Sequence, residues 1–249
     1  MAHAAQALAR LGKLADALKE ADAAVAAAPD PSRLFCRQVR VRILLQAREY
    51  EKAASEGQDL LKEFTNPEDV REIRHTLSVV YSAAGEHAKA EEQLQALLDA
   101  DPNDATANND LGYQWADQGK NLEEAEKLIR KAIELDRKQR LTGTVLDTEA
   151  DRDNAAYIDS LGWVLFRRGR HEEARKELEK AAALPDGADD PVVWDHLGDV
   201  CARLGDNAKA KAAWAKAVEL YEGGGERAPD DRYKEIKEKL KLLERDKQR

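Results

Sequence analysis

The chain has 249 residues, of which 36% are charged, and a formal net charge of −9. Abundant Ala, Glu, Lys, Leu and Arg with few β-branched residues are typical of an all-helical protein. The acidic balance argues against a nucleic-acid partner, because phosphate contact needs a basic surface, and no run of about 18 apolar residues predicts a membrane span.

The N-terminal segment, residues 1–33, carries small or apolar residues at helical spacing and is closed by Pro29. Its start lacks the basic residues and continuous apolar core of a signal peptide. The chain instead begins inside a repeat, which suggests that it continues a longer protein. The sequence therefore leaves the compartment open: cytoplasmic if the chain is complete, periplasmic or envelope-associated if an upstream targeting segment precedes it.

An internal repeat determines the expected architecture. Residues 159–174, DSLGWVLFRRGRHEEA, return 36 positions later as DHLGDVCARLGDNAKA. Such a fixed offset indicates a repeat protein. Each unit has the pattern of two amphipathic helices joined by a turn, which in most units contains glycine. We therefore expect about six helix pairs, at residues 1–33, 34–70, 71–104, 105–136, 155–190 and 191–222.

Two features depart from this pattern, one in the second unit and one between the fourth and fifth units. In the second unit Arg48 stands where the other units have the turn glycine. Residues 137–152 form an insertion between the fourth and fifth units, and their charge changes sign along the segment. We expect a solvated loop there; the alternative is an arm that folds over the groove or meets a partner.

The C-terminal segment, residues 223–249, is predicted to be a linker and a capping helix. The linker is rich in Gly, Pro and Asp, and one apolar stripe follows it at helical spacing, consisting of Tyr233, Ile236, Leu240 and Leu243. A repeat array needs its exposed end covered, which favours a cap on the last repeat. Docking onto a separate protein is the alternative.

The last unit carries a recognisable motif. Its sequence, Trp194-x2-Leu197-Gly198-x2-Cys201 and then Ala210-x3-Trp214, resembles the tetratricopeptide repeat (TPR) pattern W-x2-L-G-x2-Y…A-x3-F. The resemblance covers about residues 1–222 and implies a right-handed α-solenoid whose groove is lined by the first helix of each unit. Residues 108–135 and 153–170 also resemble a bacterial TPR subgroup that includes envelope lipoproteins serving as adaptors.

The TPR resemblance places a set of candidate partner-binding residues in the groove: Asn109, Tyr113, Asp159, Trp163, Phe166, Arg167, Asp195, Asp199 and Arg203. Trp163 and Phe166 are predicted peptide anchors, because the repeat core does not use them. The alternative is that Trp163 packs against the neighbouring first helix. The groove is mildly acidic, which suits a partner segment with a basic residue beside an apolar one.

No motif predicts catalysis. His171 starts HEE and not HExxH, and the cluster of Asp195, His196 and Asp199 does not supply a full set of metal ligands. We therefore expect no enzyme, no cofactor and no metal. The predicted function is a protein-interaction scaffold or adaptor that binds a peptide or helix in the groove. The alternative is a self-assembling structural TPR protein that pairs through its N-terminal unit.

Overall fold

The computed structural model describes residues 1–142, 152–223 and 231–246, and within these ranges every regular element is a helix. The first six helices lie in one compact unit, Met1–Pro102. They are α1 (Ala2–Arg10), α2 (Leu14–Ala27), α3 (Asp30–Gln46), α4 (Tyr50–Glu63), α5 (Pro67–Ala83) and α6 (His87–Ala100). The prediction of an all-α fold built from helix pairs is confirmed.

Within the N-terminal unit the helices pack as three consecutive pairs, and the first helix of each pair also contacts the next first helix. Alanines such as Ala5, Ala17 and Ala21 fill the core between α1, α2 and α3, so the helices approach closely. Arg40 on α3 bonds to Asp22 on α2 at 2.6 Å and to Glu56 on α4 at 2.9 Å. Charge pairs thus supplement a core of small side chains.

The second compact unit, Asn103–Arg249, contains the remaining helices. They are α7 (Ala105–Gln118), α8 (Leu122–Thr142), α9 (Ala155–Arg167), α10 (His171–Ala183), the short α11 (Pro185–Ala188), α12 (Pro191–Arg203), α13 (Asn207–Glu222) and α14 (Asp231–Asp246). The pairs are α7 with α8, α9 with α10, and α12 with α13, and α9 contacts both α7 and α12.

The Leu-Gly dipeptide of the repeat is explained by the packing of these pairs. A Cβ atom on Gly162 would lie 2.5 Å from Leu178 Cγ, and one on Gly198 would lie 2.3 Å from Trp214 Cδ1. Only glycine leaves room for the bulky side chain of the second helix at that position. The repeated glycine therefore marks the point at which the two helices of a pair lie closest.

The predicted insertion, residues 137–152, does not begin as a loop. Helix α8 continues to Thr142, because this stretch is rich in good helix formers and its charges are paired. Arg137 donates to both carboxylate oxygens of Asp153, at 2.6 and 2.8 Å, and lowers the pKa of that carboxyl. Residues 143–151, where the loop or arm was expected, lie outside the described residues.

Helix α14 packs against α13 through the apolar stripe seen in the sequence. Ile236 is fully buried, and Tyr233, Leu240 and Leu243 are partly buried against the same core. The linker residues 224–230 and the last three residues lie outside the described part of the chain. Among the helices that are described, none is both long and apolar enough to cross a membrane.

Candidate functional site

The candidate site is formed by the first helices of three consecutive pairs, α7, α9 and α12. The ring centroids of Tyr113 on α7 and His196 on α12 lie 6.2 Å apart, although α9 lies between these helices. The three helices must therefore curve around the side that carries both rings. We call this concave side, with Tyr113, Asp159, Trp163, Asp195 and His196 at its centre, the inner face.

Stacked aromatic rings occupy the middle of the inner face. Trp163 stacks on His196, with centroids 4.2 Å apart and planes 15° apart, and on Phe166 at 5.2 Å. The Arg167 guanidinium lies 5.6 Å from the Trp163 ring centroid, within cation–π distance. Trp163 is only 8% exposed. It therefore packs against the neighbouring first helix, as the alternative expectation had it, and its role as a peptide anchor stays a prediction.

His196 is fully buried and bonded on both sides of its ring. Nδ1 lies 3.0 Å from both carboxylate oxygens of Asp159, and Nε2 lies 3.2 Å from Nη1 of Arg232. A guanidinium can only donate, so Nε2 must accept, and this assigns the proton to Nδ1, which donates to Asp159. These bonds link α9, α12 and α14 through one imidazole.

The two carboxylates of α12 bind cations from α14. Asp195, 2% exposed, accepts from Arg232 at 3.1 Å and from Lys239 at 2.8 Å. Lys239 also donates to Asp199 at 2.6 Å, and Trp214 Nε1 donates to the same oxygen at 3.1 Å. Burial, together with the negative charge of Asp195, raises the pKa of the Asp199 carboxyl, and Lys239 opposes this increase.

The structure brings most of the nine predicted groove residues onto one face, but with unequal access. Burial raises the pKa of Tyr113 to about 12, and the nearby Arg232 opposes this increase. Arg167 donates to the carbonyl oxygen of Asp117 at 2.5 Å, at the end of α7. The nine residues fall into three groups by solvent exposure. The buried ones are Asn109, Asp159, Trp163 and Asp195, the half-buried ones are Tyr113, Phe166, Arg167 and Asp199, and the exposed one is Arg203.

Three contributors to the inner face were missed as binding residues: His196, Arg232 and Lys239. His196 falls between the repeat positions expected to line the groove, so only the structure identifies its role. Arg232 and Lys239 lie seven residues apart on the predicted capping helix, and that spacing is the only sequence signal for them. Within the described ranges, no group of three or more His, Cys, Asp or Glu side chains is placed to hold a metal ion.

These features define an all-helical repeat protein with a concave first-helix face. Sequence models of the tetratricopeptide repeat match residues 76–140, 154–184 and 192–223, together more than half of the chain. The chain belongs to the tetratricopeptide repeat family. Proteins of this family are generally protein-interaction scaffolds and typically have no enzymatic activity.

Bacterial proteins are among those similar to this chain. The TPR repeat-containing protein PA4667 of Pseudomonas aeruginosa is 28% identical over 193 residues, which is 77% of this chain and only 29% of that relative. A TPR protein from Parabacteroides merdae aligns with a TM-score of 0.61 at 18% identity, covering 99% of this chain and 86% of that one. A thermophilic TPR protein of Thermus thermophilus gives 0.60 at 22% identity, covering 83% and 98%.

The two structural similarities show the fold alone, and the narrower resemblance to envelope adaptor lipoproteins stays a prediction. Self-association through the N-terminal unit also stays a prediction. The unit in this prediction is residues 1–33, in which Leu11, at the end of α1, is 71% exposed; next to that unit, Phe35 on α3 is 40% exposed beside His3. Single exposed apolar side chains are common on monomers, so these two do not identify a self-association surface.

Proposed function

We propose that the chain is a protein-interaction scaffold that holds a peptide or helix of a partner protein against the inner face. The observation that supports this most directly is the gathering of aromatic rings and carboxylates from α7, α9 and α12 on one concave surface. Aromatic and arginine side chains supply most of the binding energy in protein interfaces. The family membership of the chain points to the same class of function.

Two polar atoms on these helices are suited to a partner backbone. The Asn109 amide oxygen and the Trp163 indole nitrogen are buried and have no hydrogen-bond partner in the described ranges. An unmade hydrogen bond of a buried group costs about 1–3 kcal/mol. An extended or helical segment that brings one donor and one acceptor, after a small side-chain movement, would offset that cost.

The accessible part of the inner face offers a partner both apolar and charged contacts. Phe166 and Arg167 are half-buried at the end of α9, and Asp117 and Arg203 are exposed at the ends of α7 and α12. An apolar partner side chain fits against the Phe166 ring, and charged partner residues pair with the exposed carboxylate and guanidinium groups. The rim therefore selects a partner segment that mixes apolar and charged residues.

A peptide selection tests this function. Peptides are selected on the full chain from a random display library, and the affinity of the best sequence is measured by isothermal titration calorimetry. We expect Phe166→Ala to weaken binding about tenfold, because the ring would be an anchor. Lys176→Ala on α10 is the control and should leave the affinity unchanged. Equal affinities for wild type and Phe166→Ala, with unchanged thermal unfolding, would place the binding site elsewhere.

A further inference from the structure

The C-terminal helix α14 occupies part of the inner face. We infer that α14 is an exchangeable ligand, and that its binding surface, formed by Tyr113, Asp195, His196, Asp199 and Trp214, also takes a basic amphipathic helix from a partner. We call this surface the α14 site. The inference rests on the proposed scaffold function and adds the chemistry of the partner: two cations seven residues apart, with an aliphatic residue between them.

The spacing of the cations comes from α14 itself. Arg232 and Lys239 are seven residues apart, which is two helical turns, so both project from the same side of the helix. Arg232 bonds to Asp195 and His196, whereas Lys239 bonds to Asp195 and Asp199 and lies 5.7 Å from the Trp214 ring centroid. Ile236, between them, is fully buried. Two cations and one aliphatic side chain of α14 therefore contact the α14 site together.

The α14 site needs cations. Asp195 and Asp199 are one turn apart on α12, and burial, together with the negative charge of Asp195, raises the pKa of Asp199. In the described part of the chain, the salt bridges of these two carboxylates are all with Arg232 and Lys239. If α14 left, two carboxylates one helical turn apart would face each other without a cation, and their mutual repulsion is unfavourable. A replacement must therefore also be basic.

The apolar contacts of α14 are less buried than those of α13, because Tyr233, Leu240 and Leu243 are only partly buried against the core. Ile236 is the only buried side chain among those described on α14, whereas α13 buries Ala210, Ala213, Trp214, Ala217 and Tyr221. Leu242 of α14 is largely exposed, and Lys241 pairs with Glu238 within the same helix. We expect a terminal helix with one fully buried side chain to open at a lower free energy than the rest of its unit. Its position therefore favours exchange.

A labelled peptide with the α14 sequence, residues 231–246, tests the exchange by fluorescence anisotropy. The full chain with Arg232→Ala and Lys239→Ala should release its own α14 and bind the peptide at least tenfold more tightly than wild type. In wild type, the tethered helix competes at a high effective concentration. The matched control, Lys234→Ala with Lys241→Ala, removes the same charge at exposed positions and should behave as wild type. Equal affinity in all three chains would overturn the inference.

A second measurement does not depend on the variants folding. In hydrogen–deuterium exchange of the wild-type chain, the amides of α14 should exchange at least tenfold faster than those of α12 and α13. If the amides of α14 exchanged hydrogen only when the whole chain unfolded, α14 would be a fixed cap and the inference would be wrong. A concentration-dependent dimer of the double variant would also contradict the inference, because a second copy would then be the occupant.

The two proposals fail separately. If selected peptides depend on Phe166 but the α14 peptide does not bind the double variant, the scaffold function stands and the exchange is wrong. If the α14 peptide binds but no selected peptide depends on Phe166, the α14 site is real and the proposed anchor is wrong.

Discussion

The inner residues of α5 and α9 occupy equivalent repeat positions in two different surroundings. On α5, His75 is half-buried and Val79 is 50% exposed. On α9, Asp159 and Trp163 at the same positions are buried, because His196 of the next first helix packs against both. The comparison teaches that a repeat position predicts where a side chain points, whereas the following helices decide whether it stays accessible.

The largest expected effect tests this difference directly. Asp159→Ala should lower the free energy of unfolding by about 3 kcal/mol, because the buried Nδ1–H of His196 loses its acceptor beside Arg232. His75→Ala, at the equivalent position of α5, should cost less than about 1 kcal/mol, since that side chain is half-buried. Urea denaturation followed by circular dichroism measures both. Equal losses would mean that burial does not distinguish the two positions.

A smaller effect compares two glycines that face bulky side chains. A Cβ on Gly198 would meet the Trp214 ring, which is rigid and hydrogen-bonded to Asp199, so Gly198→Ala should cost about 2 kcal/mol. A Cβ on Gly57 would lie 2.5 Å from Cδ2 of Leu77, which is the far end of an aliphatic side chain. Leu77 is buried, but it has no hydrogen bond that fixes it, so it can shift more easily than the Trp214 ring. There the gain of about 1 kcal/mol in helix propensity should offset most of the clash.

Thermal and urea unfolding of both alanine variants provide the measurement. The near-neutral result for Gly57→Ala is the control, since it carries the same chemical change in a helix of the N-terminal unit. A larger loss at Gly57 than at Gly198 would show that the N-terminal core is the more rigid one, and would reverse the comparison between the units.

The fold was predictable because packing is encoded locally. Leu161, Gly162 and Ala174 recur with the repeat, and each repeat needs them for the approach of its own two helices. The end of α8 was not predictable in the same way. Its last turns are highly charged and resemble a solvated loop in sequence, until the pairing of Arg137 with Asp153 across 16 residues is seen.

The site was only partly predictable. Asp159 and Trp163 were placed on the inner face by repeat register, which follows from helix geometry. The burial of Trp163 was predicted only as an alternative, and that of Asp159 was not predicted. The burial of Asp159 depends on His196 and on Arg232, which comes 73 positions after Asp159 in a helix outside the repeats. Contacts of this kind arise from the placement of whole helices, and no short-range pattern encodes them.

The smallest expected effect concerns the turns between paired helices. All three such turns in the C-terminal unit use a glycine with positive φ, for example +78° at Gly169. In the N-terminal unit two of the three turns do the same, and the third has Arg48 at +60°. A left-handed conformation costs a non-glycine residue about 1–2 kcal/mol. The greater freedom of glycine in the unfolded chain cancels part of that difference. Arg48→Gly should therefore stabilise the chain by about 0.5–1 kcal/mol.

The reverse change at Gly85, φ +75°, separates backbone strain from side-chain effects. A Cβ there would meet no atom within 4 Å, so Gly85→Arg should lose about the same 0.5–1 kcal/mol through the backbone alone. The double variant should then unfold at nearly the wild-type urea concentration. If Arg48→Gly instead destabilises the chain, the side-chain interactions of Arg48 outweigh its strain, and the missing glycine in this turn is compensated by contacts.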